Sequence, residues 1–168
     1  GYVGAQAVYD DGSGPALYAG GSFDHAGLAT APLIARWDGQ SWSGLDGGIG
    51  ARIGDVVYAL AGLEGAAGPA LFAGGSFTQA GGAPAGNVAG WNGSSWSAVE
   101  TGAGSEGLDE ACRVLAVLDS EAGPALYAGG EFLTAGRARA AHVALWNGQS
   151  WSPLGGGMDG TVLCLDEY

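Results

Sequence analysis

A long phrase occurs three times in this chain, and no other feature of the sequence limits the possible folds as strongly. Its first part has the pattern GPAL[YF]AGG[SE]F, and its second part has the pattern W[DN]G[QS]SW. The copies are offset by 54 and then by 55 residues in both parts, so each copy is one structural unit of constant internal geometry. The first part lies at 14–23, 68–77 and 123–132, and the second part lies at 37–42, 91–96 and 146–151.

The repeat divides the 168 residues into units that are too small to bury a core alone, so the units must stack on one another. Glycine accounts for 35 residues and charged side chains for 13 %, a composition that would suggest disorder if the apolar content were low. Hydrophobic residues make up 47 %, and they recur in register with the repeat. The sequence therefore predicts a folded, turn-rich, all-β protein without long helices.

Each unit contains four strand signals. The second strand is the PAL[YF]AGG segment, and the third and fourth strands are the two halves of the W[DN]G[QS]SW hairpin. The first strand is a segment rich in valine, leucine and alanine, and it occurs once more than the others do. We predict first strands at 5–10, 56–62 and 114–119, and an extra strand at 162–166.

The hairpin is the clearest local signal, because its Asp-Gly or Asn-Gly pair tolerates the positive φ of a tight turn. A two-residue turn would place Trp37 opposite Gln40 and Ala35 opposite Trp42, with the two tryptophans in diagonal contact. A four-residue loop would place the two tryptophans directly opposite each other. In either case both rings lie on the same face of the sheet.

The six tryptophans of the hairpins allow two interpretations. They fill the gap between neighbouring units, where each buries about 150–250 Å², or they form sugar-stacking platforms, one in each unit. We favour packing, because each tryptophan alternates with small or polar residues as in a half-buried strand. The candidate platform residues are Trp37, Trp42, Trp91, Trp96, Trp146 and Trp151.

The charge of the chain excludes one class of partner. There are 17 carboxylates, five arginines and no lysine, giving a formal net charge of −12. Such a field repels phosphate backbones, so we do not expect nucleic acid as a partner. No apolar run approaches the roughly 20 residues of a membrane-spanning helix, so we expect no membrane insertion.

The residues that carry catalytic or metal chemistry are sparse. His25 and His142 fall in different parts of different units, the arginines do not recur in register, and we predict no catalytic residues, metal or cofactor. Asp109 and Glu110, with Glu106 nearby, lack the alternating pattern of a calcium loop. The two cysteines are expected to be free, buried thiols; the alternative is that they pair, if the first strands of neighbouring units bring them close. They are Cys112 and Cys164.

Units of this length, with a Gly-Gly doublet after the second strand and a tryptophan at the third, resemble Kelch-like β-propeller repeats. The ALYAGGxFxxAG phrase followed by W[DN]GxSWS is similar to repeats of bacterial secreted propeller proteins and of the family called cortical protein markers for cell polarity. The resemblance extends over nearly the whole chain. It implies an extracellular or cell-surface location and a binding role.

The predicted fold is thus all-β: three four-stranded antiparallel blades at about 5–50, 56–104 and 113–159, plus one extra strand at about 161–166. Propellers contain about 4–8 blades, so three blades form an incomplete ring. We expect the ring to be completed by another copy of the chain or by further blades. The expected function is a non-enzymatic binding or structural module that presents variable loops to a protein or a surface, and the alternative is a multivalent, lectin-like carbohydrate-binding propeller.

Overall fold

The computed structural model describes residues 1–50, 52–65, 68–99, 107–120 and 123–166. These residues form three four-stranded antiparallel sheets and three short two-stranded ribbons. They contain no helix, so the all-β prediction is confirmed. We call the four-stranded sheets sheet 1, sheet 2 and sheet 3 in chain order.

Sheet 1 has its first and last strands at its two edges and pairs the strands in the order β1-β2-β5-β6. The remaining two strands form a ribbon between β2 and β5. The strands are β1 (Tyr2–Asp10), β2 (Pro15–Ser22), β3 (His25–Ala26), β4 (Ala29–Thr30), β5 (Ile34–Trp37) and β6 (Trp42–Gly44).

Sheets 2 and 3 repeat this topology, each with its own ribbon. In sheet 2 the strands are β7 (Val56–Gly65), β8 (Gly68–Ser76), β9 (Gln79–Ala80), β10 (Ala83–Pro84), β11 (Val88–Trp91) and β12 (Trp96–Ala98). In sheet 3 they are β13 (Cys112–Ser120), β14 (Gly123–Gly130), β15 (Thr134–Ala135), β16 (Ala138–Arg139), β17 (Val143–Trp146) and β18 (Trp151–Pro153).

The ribbons between the second and third strands of each sheet were not predicted. Each ribbon turns at the glycine of the repeated Ala-Gly pair, and these glycines have φ values of 59°, 58° and 57°. Because side chains with a Cβ rarely adopt this left-handed conformation, the turn explains why the glycine is repeated. The three glycines are Gly27, Gly81 and Gly136.

The tryptophan hairpins have four-residue loops, so the two-residue alternative is wrong. Trp37 pairs directly with Trp42, and Ala35 pairs with Gly44. The side chain of Asp38 explains the longer loop, because its Oδ1 accepts hydrogen bonds from the backbone N–H groups of Gln40 and Ser41, each at 2.8 Å. These hydrogen bonds from Ser41 and Gln40 lower the pKa of the Asp38 carboxyl below its usual value.

The predicted extra strand is absent, since residues 161–166 are described and none of them is in a strand. Every first strand pairs with the second strand of its own sheet, and the sequence contains only three second-strand phrases. The segment 161–166 therefore has no strand of its own to pair with. It is held instead on sheet 3, where Val162 N–H donates to the Gly130 carbonyl at 3.2 Å.

The hydrophobic core lies between successive sheets rather than inside any one of them. One cluster joins sheets 1 and 2, and a second cluster joins sheets 2 and 3. The first contains Tyr18, Ile34, Leu45, Ile49, Val57, Leu71, Trp91 and Trp96 among others. The second contains Phe72, Val88, Val99, Leu108, Leu115, Leu126, Trp146 and Trp151 among others.

Candidate functional site

The six candidate tryptophans form three separate pairs, one at the outer edge of each sheet. Within a pair the ring centroids are 5.3–5.4 Å apart and the ring planes are tilted by 49–50°. This geometry is favourable for aromatic side chains, which prefer tilted or offset contacts. The structure thus brings the two tryptophans of each hairpin together.

The three pairs differ in exposure. Trp91, Trp96, Trp146 and Trp151 are buried, with exposed fractions of 5–8 %, and each pair packs in the cluster that it shares with the preceding sheet. Trp37 and Trp42 are half-buried, because no sheet among the described residues packs on this face of sheet 1. Stacking on a sugar requires an accessible ring face, so among the candidate residues this pair offers the most surface to a ligand.

The indole N–H groups add one contact between sheets. Trp151 Nε1 donates to the Val99 carbonyl at 3.0 Å, which connects sheet 3 to the loop that leaves sheet 2. The indole nitrogens of Trp91 and Trp96 are buried without a hydrogen-bond partner. The tryptophans of sheets 2 and 3 are therefore parts of the interfaces between sheets.

A cavity of about 660 Å³ lies at the end of sheet 1 where its connections meet. Two segments form most of its wall: the end of β2 with the start of the ribbon, and the loop that leads to sheet 2. The side chains that set its chemistry are Asp24, His25, Arg52, Ile53 and Asp55.

The loop that borders this cavity is held by its own backbone. Arg52 N–H donates to Asp55 Oδ2 at 3.0 Å, and Asp55 N–H donates to the Arg52 carbonyl at 3.2 Å. Ile53 lies at the tip of this turn and is fully exposed. The turn thus presents an apolar side chain beside a cation and two carboxylates.

The residues considered for metal binding lie apart. His25 lines the cavity in sheet 1, whereas His142 in sheet 3 has its Nδ1 3.1 Å from the Gly130 carbonyl. Asp109 Oδ1 accepts hydrogen bonds from Leu133 N–H and Thr134 N–H at 2.9 Å, so this carboxylate holds the start of the ribbon in sheet 3. Glu106 is outside the described residues, which contain no group of three potential metal-binding side chains.

The two cysteines are both free, as predicted, but only one is buried. Cys112 is fully buried between sheets 2 and 3, and this burial raises the pKa of its thiol to about 12. Cys164 is exposed in the segment 161–166, so its predicted burial is wrong. The physical reason is that this segment forms no strand and has no sheet to cover it.

A partly buried polar cluster beside sheet 1 was not predicted from the sequence. Tyr18 Oη donates to Asp11 Oδ2 at 2.6 Å, Arg36 Nη2 donates to Ser13 Oγ at 2.6 Å, and Arg36 Nε lies 3.6 Å from Asp11 Oδ2. Burial raises the pKa of Tyr18, and its bond to Asp11 raises it further. The signal was present in the repeats, because Phe72 and Gly90 of sheet 2 replace the tyrosine and the arginine at the same register.

A second ion pair lies at the start of sheet 3. Arg113 donates to Glu131 Oε1 from Nε at 2.8 Å, and its guanidinium carbon lies 4.1 Å from the centre of the Tyr58 ring. The hydrogen bond to Glu131 raises the pKa of the arginine. Because Tyr58 belongs to β7 of sheet 2, this cation–π contact also connects two sheets.

No protein-family model, curated protein or solved structure matches this chain. Among the residues that the structure describes, none forms a helix long and apolar enough to cross a lipid bilayer.

Proposed function

We propose that this chain is a non-enzymatic binding or structural module, built from Kelch-like β-propeller blades and exposed at the cell surface or secreted. The observation that carries the proposal is that the repeated residues and the non-repeated residues have different structural roles. The repeated residues are used in turns and in packing between sheets, whereas the polar and exposed side chains of the cavity at the end of sheet 1 are ones that the repeat does not specify: Asp24, His25, Arg52, Ile53 and Asp55. Variable side chains on a repeated scaffold are where individual recognition resides.

Comparison at equivalent positions supports this division. The two residues before the repeated Ala-Gly pair are Asp24 and His25 in sheet 1, Thr78 and Gln79 in sheet 2, and Leu133 and Thr134 in sheet 3. All three ribbons form in spite of these differences. The scaffold therefore does not require a histidine or an aspartate at this place, and both are free to serve a ligand.

The chemistry of the cavity favours a protein partner. Its wall combines the exposed Ile53 with a guanidinium and with carboxylates, and the net charge of −12 disfavours nucleic acids. We propose that a protein segment contacts the cavity with a small apolar side chain against Ile53 and a basic group near Asp24. Arginine is well suited to the second role, because its planar fork binds carboxylates in a bidentate manner.

A site-specific photocrosslinker tests this function. It is placed at Ile53 and, as a control, at Gln149, an exposed residue in the repeated hairpin loop of sheet 3. Each protein is incubated with the extracellular fraction of the producing cells. We expect discrete crosslinked proteins from position 53 that are absent from position 149 and are lost when Asp24→Asn and Arg52→Ala are added. Identical labelling from the two positions, or none from position 53, would overturn the proposal.

A lectin-like function is the second candidate, and the half-buried pair of Trp37 and Trp42 favours it over the buried pairs. Titration with neutral monosaccharides and oligosaccharides, followed by tryptophan fluorescence, tests it. A saturable change that disappears in Trp37→Ala but persists in Ser43→Ala, a neighbouring change without an aromatic ring, would support sugar binding. No saturable change with any sugar would exclude this pair as a platform.

A further inference from the structure

We propose that the uncovered face of sheet 1 binds the uncovered face of sheet 3 in a second copy of this chain, so that two copies close head to tail into one ring of six sheets. This inference goes beyond the proposed function, because it concerns the two end faces and not the cavity at the loops. The structure already contains two interfaces of this kind, one between sheets 1 and 2 and one between sheets 2 and 3.

The uncovered face of sheet 1 carries a row of apolar side chains at one register. Val8 pairs with Leu17, Leu17 with Trp37, and Trp37 with Trp42, so the row crosses all four strands. Val8 is 75 % exposed, and the other three are half-buried. In sheets 2 and 3 the same register is buried against the preceding sheet, at Leu71, Trp91, Trp96, Leu126, Trp146 and Trp151.

A groove of about 540 Å³ runs along this face, and Val3, Ala19, Ala35 and Trp42 are among its walls. In sheet 2 the equivalent residues lie in the core shared with sheet 1, where side chains of sheet 1 fill the corresponding space. The difference is clearest at Val3, which is 52 % exposed against 0 % for Val57, and at Trp42, which is half-buried against 8 % exposed for Trp96; Ala19 and Ala35 are already buried in sheet 1. The groove on sheet 1 is thus the interface of sheet 2 without its occupant.

The opposite end of the chain presents the matching side chains. The loops that leave sheets 1 and 2 bury one pair each against the following sheet: Leu45 and Ile49 are 2 % and 0 % exposed, and Val99 and Leu108 are 4 % and 2 % exposed. The loop that leaves sheet 3 holds the third pair, Leu154 and Met158, which are 37 % and 56 % exposed. These two side chains have the position and the polarity to fill the groove on sheet 1.

One backbone hydrogen bond is equivalent in the three loops, although the loop leaving sheet 2 is longer and its residues 100–106 lie outside the described residues. Ile49 N–H donates to the Pro32 carbonyl at 3.0 Å, Leu108 N–H to Gly86 at 2.9 Å, and Met158 N–H to Ala141 at 2.9 Å. At this hydrogen bond, the loop leaving sheet 3 already has the arrangement that the other two have where they contact the next sheet. Little conformational entropy remains to be lost on association.

Each of the first two loops pairs with the ribbon of the next sheet. Ile49 forms a β-bridge with Ala80, and Leu108 forms one with Ala135. Hydrogen bonds flank both bridges, from Gly81 N–H to the Gly48 carbonyl at 2.9 Å and from Gly136 N–H to the Gly107 carbonyl at 2.8 Å.

The same pairing across two copies specifies the register of the new interface. Met158 of one copy forms a bridge with Ala26 of the other, and Gly27 N–H donates to the Gly157 carbonyl. Ala80 and Ala135 are 3 % and 1 % exposed, whereas Ala26 is only half-buried. The ribbon of sheet 1 thus has an edge available for this pairing.

Two copies suit the closure of a ring. A heterologous interface closes when successive rotations add up to a full turn, and two copies give six sheets, within the range of about 4–8 blades that propellers contain.

The segment 161–166 must move, because Val162 lies against Gly129 where Val3 of the second copy belongs. This segment forms no strand; its displacement gives up the hydrogen bond from Val162 N–H to the Gly130 carbonyl and the packing of Val162 on Gly129.

The mass in solution gives the first test, measured by sedimentation velocity at 0.15 M salt to screen the negative charge. We expect twice the 16.5 kDa of one chain at high protein concentration. Met158→Asp and Leu154→Asp should each return the mass to that of one chain with unchanged circular dichroism. Leu133→Asp is the matched control: Leu133 is 51 % exposed, lies outside the interface and occupies the position of Asp24 in sheet 1, so the dimer should persist.

Directed disulfide formation tests the register. In a Cys164→Ser background, one protein carries Ala26→Cys and another carries Met158→Cys. Antiparallel bridge partners lie about 4.5–5.5 Å apart between Cα atoms, a distance that a disulfide spans. Mild oxidation should crosslink the mixture into a dimer and leave each protein alone uncrosslinked.

Two results would overturn the proposal. One is a mass of one chain at every concentration with no crosslinking in the mixture, which would assign the two end faces to further blades instead of a second copy. The other is a dimer that survives both aspartate substitutions. Neither result bears on the photocrosslinking experiment at Ile53, so the two proposals fail separately.

Discussion

At the scale of single residues, the buried cluster around Asp11 departs most clearly from the repeat. Its carboxylate is 6 % exposed and accepts hydrogen bonds from Ser13 and Tyr18, with Arg36 at 3.6 Å. Burial alone would raise the pKa of Asp11, but the hydrogen bonds from Ser13 and Tyr18 and the nearby guanidinium outweigh it and lower the pKa below its usual value. The folded protein therefore favours the ionised form of this side chain.

This lowered pKa predicts a dependence of stability on pH. The contribution of ionised Asp11 is fully present above its ordinary pKa of about 4, and it is lost as the pH falls through the lower value of the folded state. Asp11→Asn should reduce the free energy of unfolding at pH 7 by about 1.5–3 kcal/mol and flatten its decline below pH 4. Urea unfolding at several pH values measures both effects. Asp24→Asn, at an exposed carboxylate, serves as the control and should change neither.

A second prediction at this scale concerns the tryptophans. Trp91 is 6 % exposed in the core between sheets 1 and 2, so Trp91→Ala should lower the free energy of unfolding by about 3–5 kcal/mol. Trp37 occupies the same position in sheet 1 but is only half-buried, and Trp37→Ala should cost clearly less in dilute solution. Equal losses in chemical denaturation of the two variants would contradict the assignment of Trp91 to an interface between sheets.

At the scale of elements, glycines in the second strands let successive sheets approach each other. A Cβ added at Gly20 would lie 2.5 Å from Val57, one at Gly74 would lie 2.7 Å from the Cys112 sulfur, and one at Gly129 would lie 2.6 Å from Val162. Real Cβ atoms do not come this close to other atoms, so each position excludes a side chain unless its neighbour moves. The Gly-Gly doublet is therefore required by packing, as its repetition suggested.

The contact at Gly74 gives a testable pair of substitutions. Gly74→Ala should destabilise the protein by about 1–3 kcal/mol through overpacking, and adding Cys112→Ala should restore part of this loss by removing the sulfur. Gly90→Ala is the control, because its added Cβ would have no neighbour closer than 3.4 Å. Thermal melts of the three variants and of Cys112→Ala alone measure the coupling. Strictly additive losses would show that the two positions do not interact.

At the scale of the whole molecule, successive sheets share a core, and each sheet is stabilised by contacts with its neighbours. Sheet 2 is covered on both faces, whereas sheets 1 and 3 are each covered on one. Their second strands, β2, β8 and β14, have closely similar sequences and the same pairing in the sheet. Differences in the protection of their backbone amides from hydrogen exchange therefore report how far each sheet is covered by neighbouring sheets.

This arrangement predicts a gradient of amide hydrogen exchange. At a protein concentration where one chain is the species in solution, the amides of β8 should exchange more slowly than those of β2 and β14. At a concentration where two copies associate, β2 and β14 should approach β8. Exchange rates that are equal in the three strands of the single chain would contradict a stack with two uncovered faces.

Several features could be read from the sequence because they depend on neighbouring residues. The second strands, the hairpins and the shared face of Trp37 and Trp42 were predicted correctly from alternation and turn residues. The first strands were predicted too short, since β1 begins at Tyr2 and β13 at Cys112, before the bulges that interrupt their pairing. In sheet 2 the predicted start at Val56 is correct although the same bulge follows it, and the strand instead extends further, to Gly65.

Other features depend on the contacts between units. The predicted extra strand at 161–166 has a strand-like sequence, but a strand requires a partner, and this segment lies on sheet 3 without one. The cavity beside Ile53 is assembled from segments more than twenty residues apart in sequence, from Ser22 to Asp55, so local patterns give no sign of it.

The repeat by itself was sufficient for the all-β class, the four-strand unit and its number of copies, because alternation and turn chemistry are local properties of the chain. Only the tertiary structure decided which side chains are covered. Trp42, Trp96 and Trp151 occupy the same place in the repeat, yet the first is half-buried and the other two are buried. The physical reason is that burial depends on the neighbouring sheet, and identical sequence units have different neighbours when they stand at the end or in the middle of a stack.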